Sequence, residues 1–310
     1  MRTVGIIGGS GFIGSYNTKK FLAEGYKVKV SSTDISKEGK YAHLKQLPKA
    51  ENLEIVALNV ENKSELNDFL KGCEIVIHGG TPFQLAVNDP KTELFDPTVK
   101  GTENFLEAVM NTPGIKKVVI IASVAAFNTN FPLPAGNKKP DEIFEESDMP
   151  YYGEQSHPYG QAKFLAQRAV EKFLASHPKL DFEIVTVSPV LVIGKSLSSR
   201  EDSTSTGIQF LLKNKIAPDA FFQSFYDNDI DFAMVNVEDV AEAIFRSATK
   251  TGLNGKNYLL TSETYPVSDI TRMLNHQEPH LKPKIVYSNN LVIKDLGIKF
   301  KSAQVSLGEY

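Results

Sequence analysis

Short, nearly all-apolar runs rich in Val and Ile alternate with longer amphipathic stretches through the first two-thirds of the chain. That alternation restricts the fold more than any other feature. Thr3 to Ile7, Lys27 to Ser31, Leu53 to Leu58, Glu74 to His78, Lys117 to Ala122 and Phe182 to Val187 read as strands. Between two of them, Val99, Thr102, Phe105, Leu106, Val109 and Met110 recur at the spacing of one helical stripe. Strands this apolar offer no face to water, so helices must cover them on both sides, as in a parallel sheet. The expected fold class is α/β, a doubly wound parallel sheet with a smaller C-terminal lobe.

Two segments interrupt the rhythm. Asn128 to Tyr152, rich in Pro, Asn, Lys and acidic residues, reads as a long loop, and Ser196 to Thr206 as a mobile connection. Beyond it the pattern predicts a helix at Val237 to Ala248, a short strand at Asn257 to Leu260 and a helix starting near Ser268. The expected division is a first domain over residues 1–190 and a substrate-binding lobe over 191–310, with about 232–262 returning to the first domain.

The formal net charge of −3 is too mild for nucleic acid or an anionic membrane to be the main partner. Cys73 is the single cysteine, which forbids an intrachain disulfide and fits a small buried residue in a reducing compartment. The N-terminus shows no leader pattern, and the longest apolar stretch, around Val118 to Phe127, falls short of the roughly 20 residues that span a bilayer. These features point to the cytoplasm.

Gly8-Gly9-Ser10-Gly11-Phe12-Ile13-Gly14 follows the first strand and opens a helix. Glycines at 8, 11 and 14 permit a tight turn, close approach to a pyrophosphate and packing of helix on strand, while helix-start N–H groups face the phosphates. In this position the turn predicts a dinucleotide-binding Rossmann domain. The second strand ends Val30-Ser31-Ser32-Thr33-Asp34, without the acidic residue at the usual place for an NAD ribose, and Lys37 and Lys40 follow. The balance favours NADP(H), with NAD(H) as the alternative.

In Ser156-His157-Pro158-Tyr159-Gly160-Gln161-Ala162-Lys163, Pro158 suits a first helical turn, and Ser156 or His157 suits its cap. Tyr159 and Lys163 then project from one helical face. A phenol with pKa near ~10 is a poor proton donor–acceptor at neutral pH, and a neighbouring ammonium favours its ionised form. Ser123 ends an apolar strand at the carboxyl edge, where ligands bind in open α/β sheets. Ser123, Tyr159 and Lys163 are the candidate catalytic residues.

Taken together, these residues resemble the extended short-chain dehydrogenase/reductases of the NAD-dependent epimerase/dehydratase superfamily, on the branch of dihydroflavonol 4-reductases and aldehyde/ketone reductases. The likeness extends through Lys71-Gly72-Cys73, His78-Gly79-Gly80-Thr81-Pro82, Asp96 to Thr102, Ser188-Pro189, Val235 to Val240 and Asp295-Leu296-Gly297. It implies hydride transfer to a carbonyl, with Tyr159 giving the proton, Lys163 lowering its pKa and binding ribose, and Ser123 orienting the carbonyl. It also implies cofactor contacts at Gly8, Gly11, Phe12, Ile13, Gly14, Thr33, Lys40, Asn59, Val60, Gly79, Gly80, Thr81, Pro189 and Val192. Substrate contacts are expected at Pro82 and Asn128. Thr98 stands where epimerase-like relatives carry Asn, and Thr33 replaces the Arg that NADP-dependent relatives place against the 2′-phosphate. The chain stops at Tyr310, short of a last helix that many relatives have.

Phe221 to Tyr226 is an aromatic cluster, read either as core or as a lining for an apolar substrate, with Phe225 as the candidate contact. The histidines lack metal-ligand spacing, so no metal is expected. The reading is an NADP(H)-dependent reductase of a small, apolar or aromatic aldehyde or ketone. Its competitors are an NAD-dependent sugar-nucleotide epimerase or dehydratase, and a non-catalytic dinucleotide sensor. The oligomeric state is left open.

Overall fold

The computed structural model describes residues 1–79, 89–200 and 203–310. Its strands are β1 (Thr3–Ile7), β2 (Lys27–Ser32), β3 (Leu53–Ala57), β4 (Ile75–His78), β5 (Lys117–Ile121), β6 (Glu183–Pro189), β7 (Leu191–Ile193), β8 (Asp231–Asn236), β9 (Asn257–Leu260) and β10 (Glu263–Pro266). The helices are α1 (Phe12–Ala23), α2 (Lys63–Leu70), α3 (Asp96–Met110), α4 (Pro158–Ser176), α5 (Thr204–Asn214), α6 (Ala220–Asp227), α7 (Val237–Thr249), α8 (Val267–Leu274), α9 (Asn290–Leu296) and α10 (Ala303–Gly308).

A seven-stranded parallel sheet runs in the order β3-β2-β1-β4-β5-β6-β9. Successive strand residues point to opposite faces. Ile75, Ile77, Val119 and Ile121 therefore join one core with Phe21 and Leu22 of α1 and Val240 and Ile244 of α7. Val76, Val118 and Ile120 join the other, against Phe69 of α2, Phe105 and Leu106 of α3 and Val170 of α4. Fully buried Phe69 and Leu106 each contribute roughly 1.5–3 kcal/mol of transfer free energy. The strand order reverses between β1 and β4, and this switch point opens a crevice at the carboxyl ends of those strands.

The smaller sheet has the order β10-β8-β7, with β7 and β8 parallel and β8 and β10 antiparallel. Its core combines Leu191, Phe232, Met234, Tyr265 and Ile270 with Leu212 of α5 and Phe225 of α6. The sequence pattern does not anticipate β7, β8 and β10. β7 and β10 are only three and four residues long, and β8, at six, carries a single β-branched residue and so lacks the Val and Ile runs of the large sheet. The long segment between Asn128 and Tyr152 is a loop, tied down where Phe144 donates to Val286 O and accepts from Ser288 N, each at 2.8 Å. Glu146 from this loop accepts at 3.0 Å from the Leu259 N–H on β9, beyond which the sheet has no further strand among the described residues. Cys73 is buried, and burial pushes its thiol pKa up. No helix among the described residues is long and apolar enough to cross a membrane.

Several ionisable side chains are buried in this framework, Lys117 among them. The Lys117 ammonium, on a side chain 6% exposed, pairs with Glu183 and also donates to Lys250 O at 2.7 Å. Glu183 additionally accepts from Gly252 N at 2.7 Å and Leu253 N at 3.1 Å. Burial alone would raise its pKa, but these donors outweigh burial and hold the carboxyl below its ordinary value. Its contribution is therefore present above the unfolded carboxylate range and lost as pH falls through the folded value. Glu183→Gln should cost about 3 kcal/mol near neutral pH by stranding the Lys117 charge. Denaturant melts should show this gap narrowing as pH drops below about 4. A pH-independent gap would contradict the pairing.

Candidate active site

The glycine turn is built by steric exclusion. A Cβ on Gly14 would lie 2.0 Å from Gly8 O and 2.8 Å from Gly9 Cα, so α1 seats on the turn only because residue 14 has no side chain. Gly8 takes φ +79, the left-handed region that favours glycine. Its N–H donates to Ser31 Oγ at 3.0 Å, joining the turn to the end of β2. Thr18 Oγ1 donates to Gly9 O at 3.0 Å from inside α1. Gly11 caps α1 without a side-chain acceptor, and the first turn holds no acidic residue. The opening amides, with half-buried Phe12 and Ile13 beside them, thus present an unneutralised positive end suited to an anionic pyrophosphate. The residues present fit a dinucleotide.

Across the switch point β4 ends in His78 and Gly79. A Cβ on Gly79 would come 3.0 Å from Ile121 Cδ1, so the chain passes close over β5 there. His78 packs on Phe105, with ring centroids 4.3 Å apart, and its Nδ1 is buried without a hydrogen-bond partner. Burial, aided by the nearby Lys163 charge, drives its pKa down to about 4, so the ring is neutral.

Tyr159 and Lys163 come from the first turns of α4. His157 caps that helix, its Nδ1 accepting from Tyr159 N at 3.2 Å, and Pro158 opens it. The Lys163 ammonium lies 5.8 Å from the centroid of the Tyr159 ring, and its charge is felt at His78 on the carboxyl edge. Lys163 is buried, and burial lowers its pKa to about 8. Burial raises the Tyr159 phenol to about 12. The expectation that Lys163 draws the phenol's pKa down is thus corrected for the protein alone, because desolvation penalises both charged forms. Ser123 follows β5 in extended conformation and caps the turn Val124–Ala126, which packs against α4. Its Oγ accepts from Ala125 N at 3.2 Å, which leaves the hydroxyl proton to donate elsewhere.

A fold of this topology with these residues at the crevice can be compared with known proteins. The NAD dependent epimerase/dehydratase family matches residues 4–261. The chain belongs to that family. Within it, the chain falls with the reductases. It is similar to a cinnamoyl-CoA reductase of Medicago truncatula, 29% identical over 98% of this chain and 93% of that protein. It is also similar to a bifunctional dihydroflavonol 4-reductase/flavanone 4-reductase of Pyrus communis, 26% identical over 96% and 86%. Among solved structures, Gre2 from Candida albicans in complex with NADPH has the same fold, with a TM-score of 0.84 at 23% identity, covering 100% of this chain and 97% of that one.

The remaining expected positions divide in two. Thr33, Lys40, Asn59 and Val60 lie past the ends of β2 and β3, and Pro189 and Val192 are buried at the end of β6 and within β7. Gly80, Thr81 and Pro82 lie outside the described residues. Asn128 and Phe225 need correction as substrate contacts. Asn128 is 0% exposed, and its amide donates to Leu133 O and Tyr287 Oη, both at 2.8 Å, while Oδ1 accepts from Asn130 N at 3.0 Å. These bonds hold the long loop and leave no donor for a ligand. Phe225 is 4% exposed, packed against Phe221, Phe222 and Phe232. It belongs to the small core.

Sequence reasoning missed Gly160. A Cβ there would lie 2.9 Å from Thr129 O, so the glycine lets α4 close onto the loop beyond Ser123. A glycine within a helical stretch was the available signal. Gly160→Val should shift the first turn of α4 and reduce turnover by about 100-fold in a protein that still melts cooperatively. Unchanged turnover would show that the contact does not position Tyr159.

Proposed function

We propose that the protein is an NADP(H)-dependent reductase that passes a hydride to the carbonyl of a small, apolar or aromatic aldehyde or ketone. The observation that carries this reading is the placement of Tyr159 and Lys163, the first half-buried and the second buried, on one helical turn at the carboxyl edge near His78. The names of the cinnamoyl-CoA and dihydroflavonol reductases support the substrate class. The NADPH in the Candida structure supports the cofactor.

A nicotinamide nucleotide bound in the crevice would supply the hydride. Gly8, Gly11, Phe12, Ile13 and Gly14 would hold its pyrophosphate, and Thr33 and Lys40 its 2′-phosphate. Asn59, Val60, Gly79, Gly80 and Thr81 would line the adenine and ribose path, with Pro189 and Val192 flanking the nicotinamide. The Ser123 hydroxyl would donate to the carbonyl oxygen and hold it in place. Tyr159 would deliver the proton that the alkoxide needs. A phenol kept protonated to about 12 is loaded for this direction at any ordinary pH. Lys163, cationic below about 8, would hold the ribose hydroxyls.

A titration comparing NADPH with NADH, followed by a carbonyl panel with the better one, tests the reading directly. Failure to bind either cofactor would sink it. Tyr159→Phe should cut turnover by about 10²- to 10⁴-fold and leave NADPH affinity intact. If turnover survives the loss of the hydroxyl, the assigned proton donor is wrong. The pH profile supplies a further check. Lys163 loses its proton as pH rises through about 8, so kcat/KM should be level below that point and decline above it. Lys163→Met should remove the step, and a step that persists would place the titration on another group.

A further inference from the structure

The end of β2 lacks both groups usually found against an adenosine ribose. No acidic side chain stands there to take a 2′-hydroxyl, and Thr33 is not a cation. Asp34 turns into its own loop, where one carboxylate oxygen accepts from Ser36 N at 3.0 Å and Ser36 Oγ at 2.6 Å. Lys37 pairs with it at 3.6 Å. Lys40 is different, since its ammonium donates to Thr33 Oγ1 at 3.1 Å and so sits against the strand end itself.

A second cation arrives from 160 residues away. The Arg200 guanidinium donates through Nη1 to the backbone O of Lys40 at 3.0 Å, the same residue whose ammonium reaches Thr33. Its charge is also felt at His43, whose Nε2 lies 2.7 Å from Ser15 Oγ. Ser15 Oγ in turn donates to Gly11 O at 2.7 Å, inside the glycine turn, so His43 gives its Nε2 proton to the serine. The segment carrying Arg200 is itself fixed. Tyr16 Oη of α1 donates to Lys195 O at 2.7 Å, and Leu197 packs on the main core. Ser196 Oγ accepts from Ser198 N at 3.1 Å, and Ser198 Oγ from Arg200 N at 3.0 Å. Arg200 therefore ends a braced stretch, residues 195–200, that follows β7.

We infer that Arg200 joins Lys40 and Thr33 to form a phosphomonoester site that takes the 2′-phosphate of NADP(H). The site lies between the glycine turn and the end of β2, where the ribose of a dinucleotide on that turn would fall. Guanidinium geometry matches phosphate oxygens in a bidentate fashion that a lone ammonium cannot supply. The chain thus places its guanidinium by way of the connection to the smaller lobe, with Thr33 left as a hydroxyl donor. This inference rests on the reading that a nicotinamide dinucleotide occupies the crevice.

The test is the affinity of the full-length protein for NADPH and NADH, measured by calorimetry on wild type and Arg200→Ala. Loss of one charge-assisted contact should weaken NADPH about tenfold or more and leave NADH within about twofold. Thr33→Arg in the Arg200→Ala background should restore the preference by placing a guanidinium on the strand end directly. Binding of 2′,5′-ADP should follow NADPH, and binding of 5′-AMP should follow NADH. Unchanged NADPH binding in Arg200→Ala, or equal losses for both cofactors, would overturn the assignment while leaving the reductase reading in place. A wild-type protein that binds neither nucleotide would remove that reading and this inference together.

Discussion

A backbone carbonyl occupies the space that any side chain at residue 14 would need, and the crevice is arranged outward from that contact. Gly14 lies against Gly8 O, so α1 begins where β1 ends and its open amides face the switch point. The same helix then secures its surroundings. Thr18 bonds back to the turn, Ser15 meets His43 of the β2–β3 connection, and Tyr16 holds the carbonyl of Lys195 beyond β7. A displaced α1 would disturb the anion site, the strand end beside it and the path to the smaller lobe at once. The absence of one Cβ is thus a long-range condition on the fold.

The second organising influence is desolvation. Tyr159, Lys163 and His78 gather near the carboxyl edge, and burial pushes all three toward their neutral forms. The His78 imidazole, tilted against Phe105 and neutral, contributes no charge there. In the proposed reduction such a site would hold its proton on the phenol until an oxyanion draws it away. Low local polarity also strengthens every dipole that remains, including the Ser123 hydroxyl.

Where a signal was periodic or tied to one turn, the sequence revealed it. The strands of the large sheet were legible because continuous Val and Ile runs permit little else, and the glycine turn because its position after β1 supplied the context. The helix that carries Tyr159 and Lys163 was legible through their spacing and the proline before them. Asn128 misled because its place after Ser123 suggested a ligand, whereas only the three-dimensional loop reveals the acceptors that consume its amide. Phe225 misled because an aromatic cluster reads alike as pocket and as core. In the small sheet β7 and β10 were too brief to announce themselves, and β8 lacks the β-branched run that marks the others. Arg200 was hidden for a different reason. Its partner lies 160 residues earlier, and no local pattern encodes that distance.

The long loop has an effect at the far margin of the molecule. β9 is the last strand of the large sheet, and an open strand margin is ordinarily a template for strand addition by another chain. Here the Glu146 carboxylate already takes the Leu259 N–H, Tyr258 is bonded to Asp295, and α9 packs along the same strand. An incoming chain would have to evict a sheltered carboxylate before it could register. Extension of the sheet at this margin therefore competes with a bond already made by a side chain.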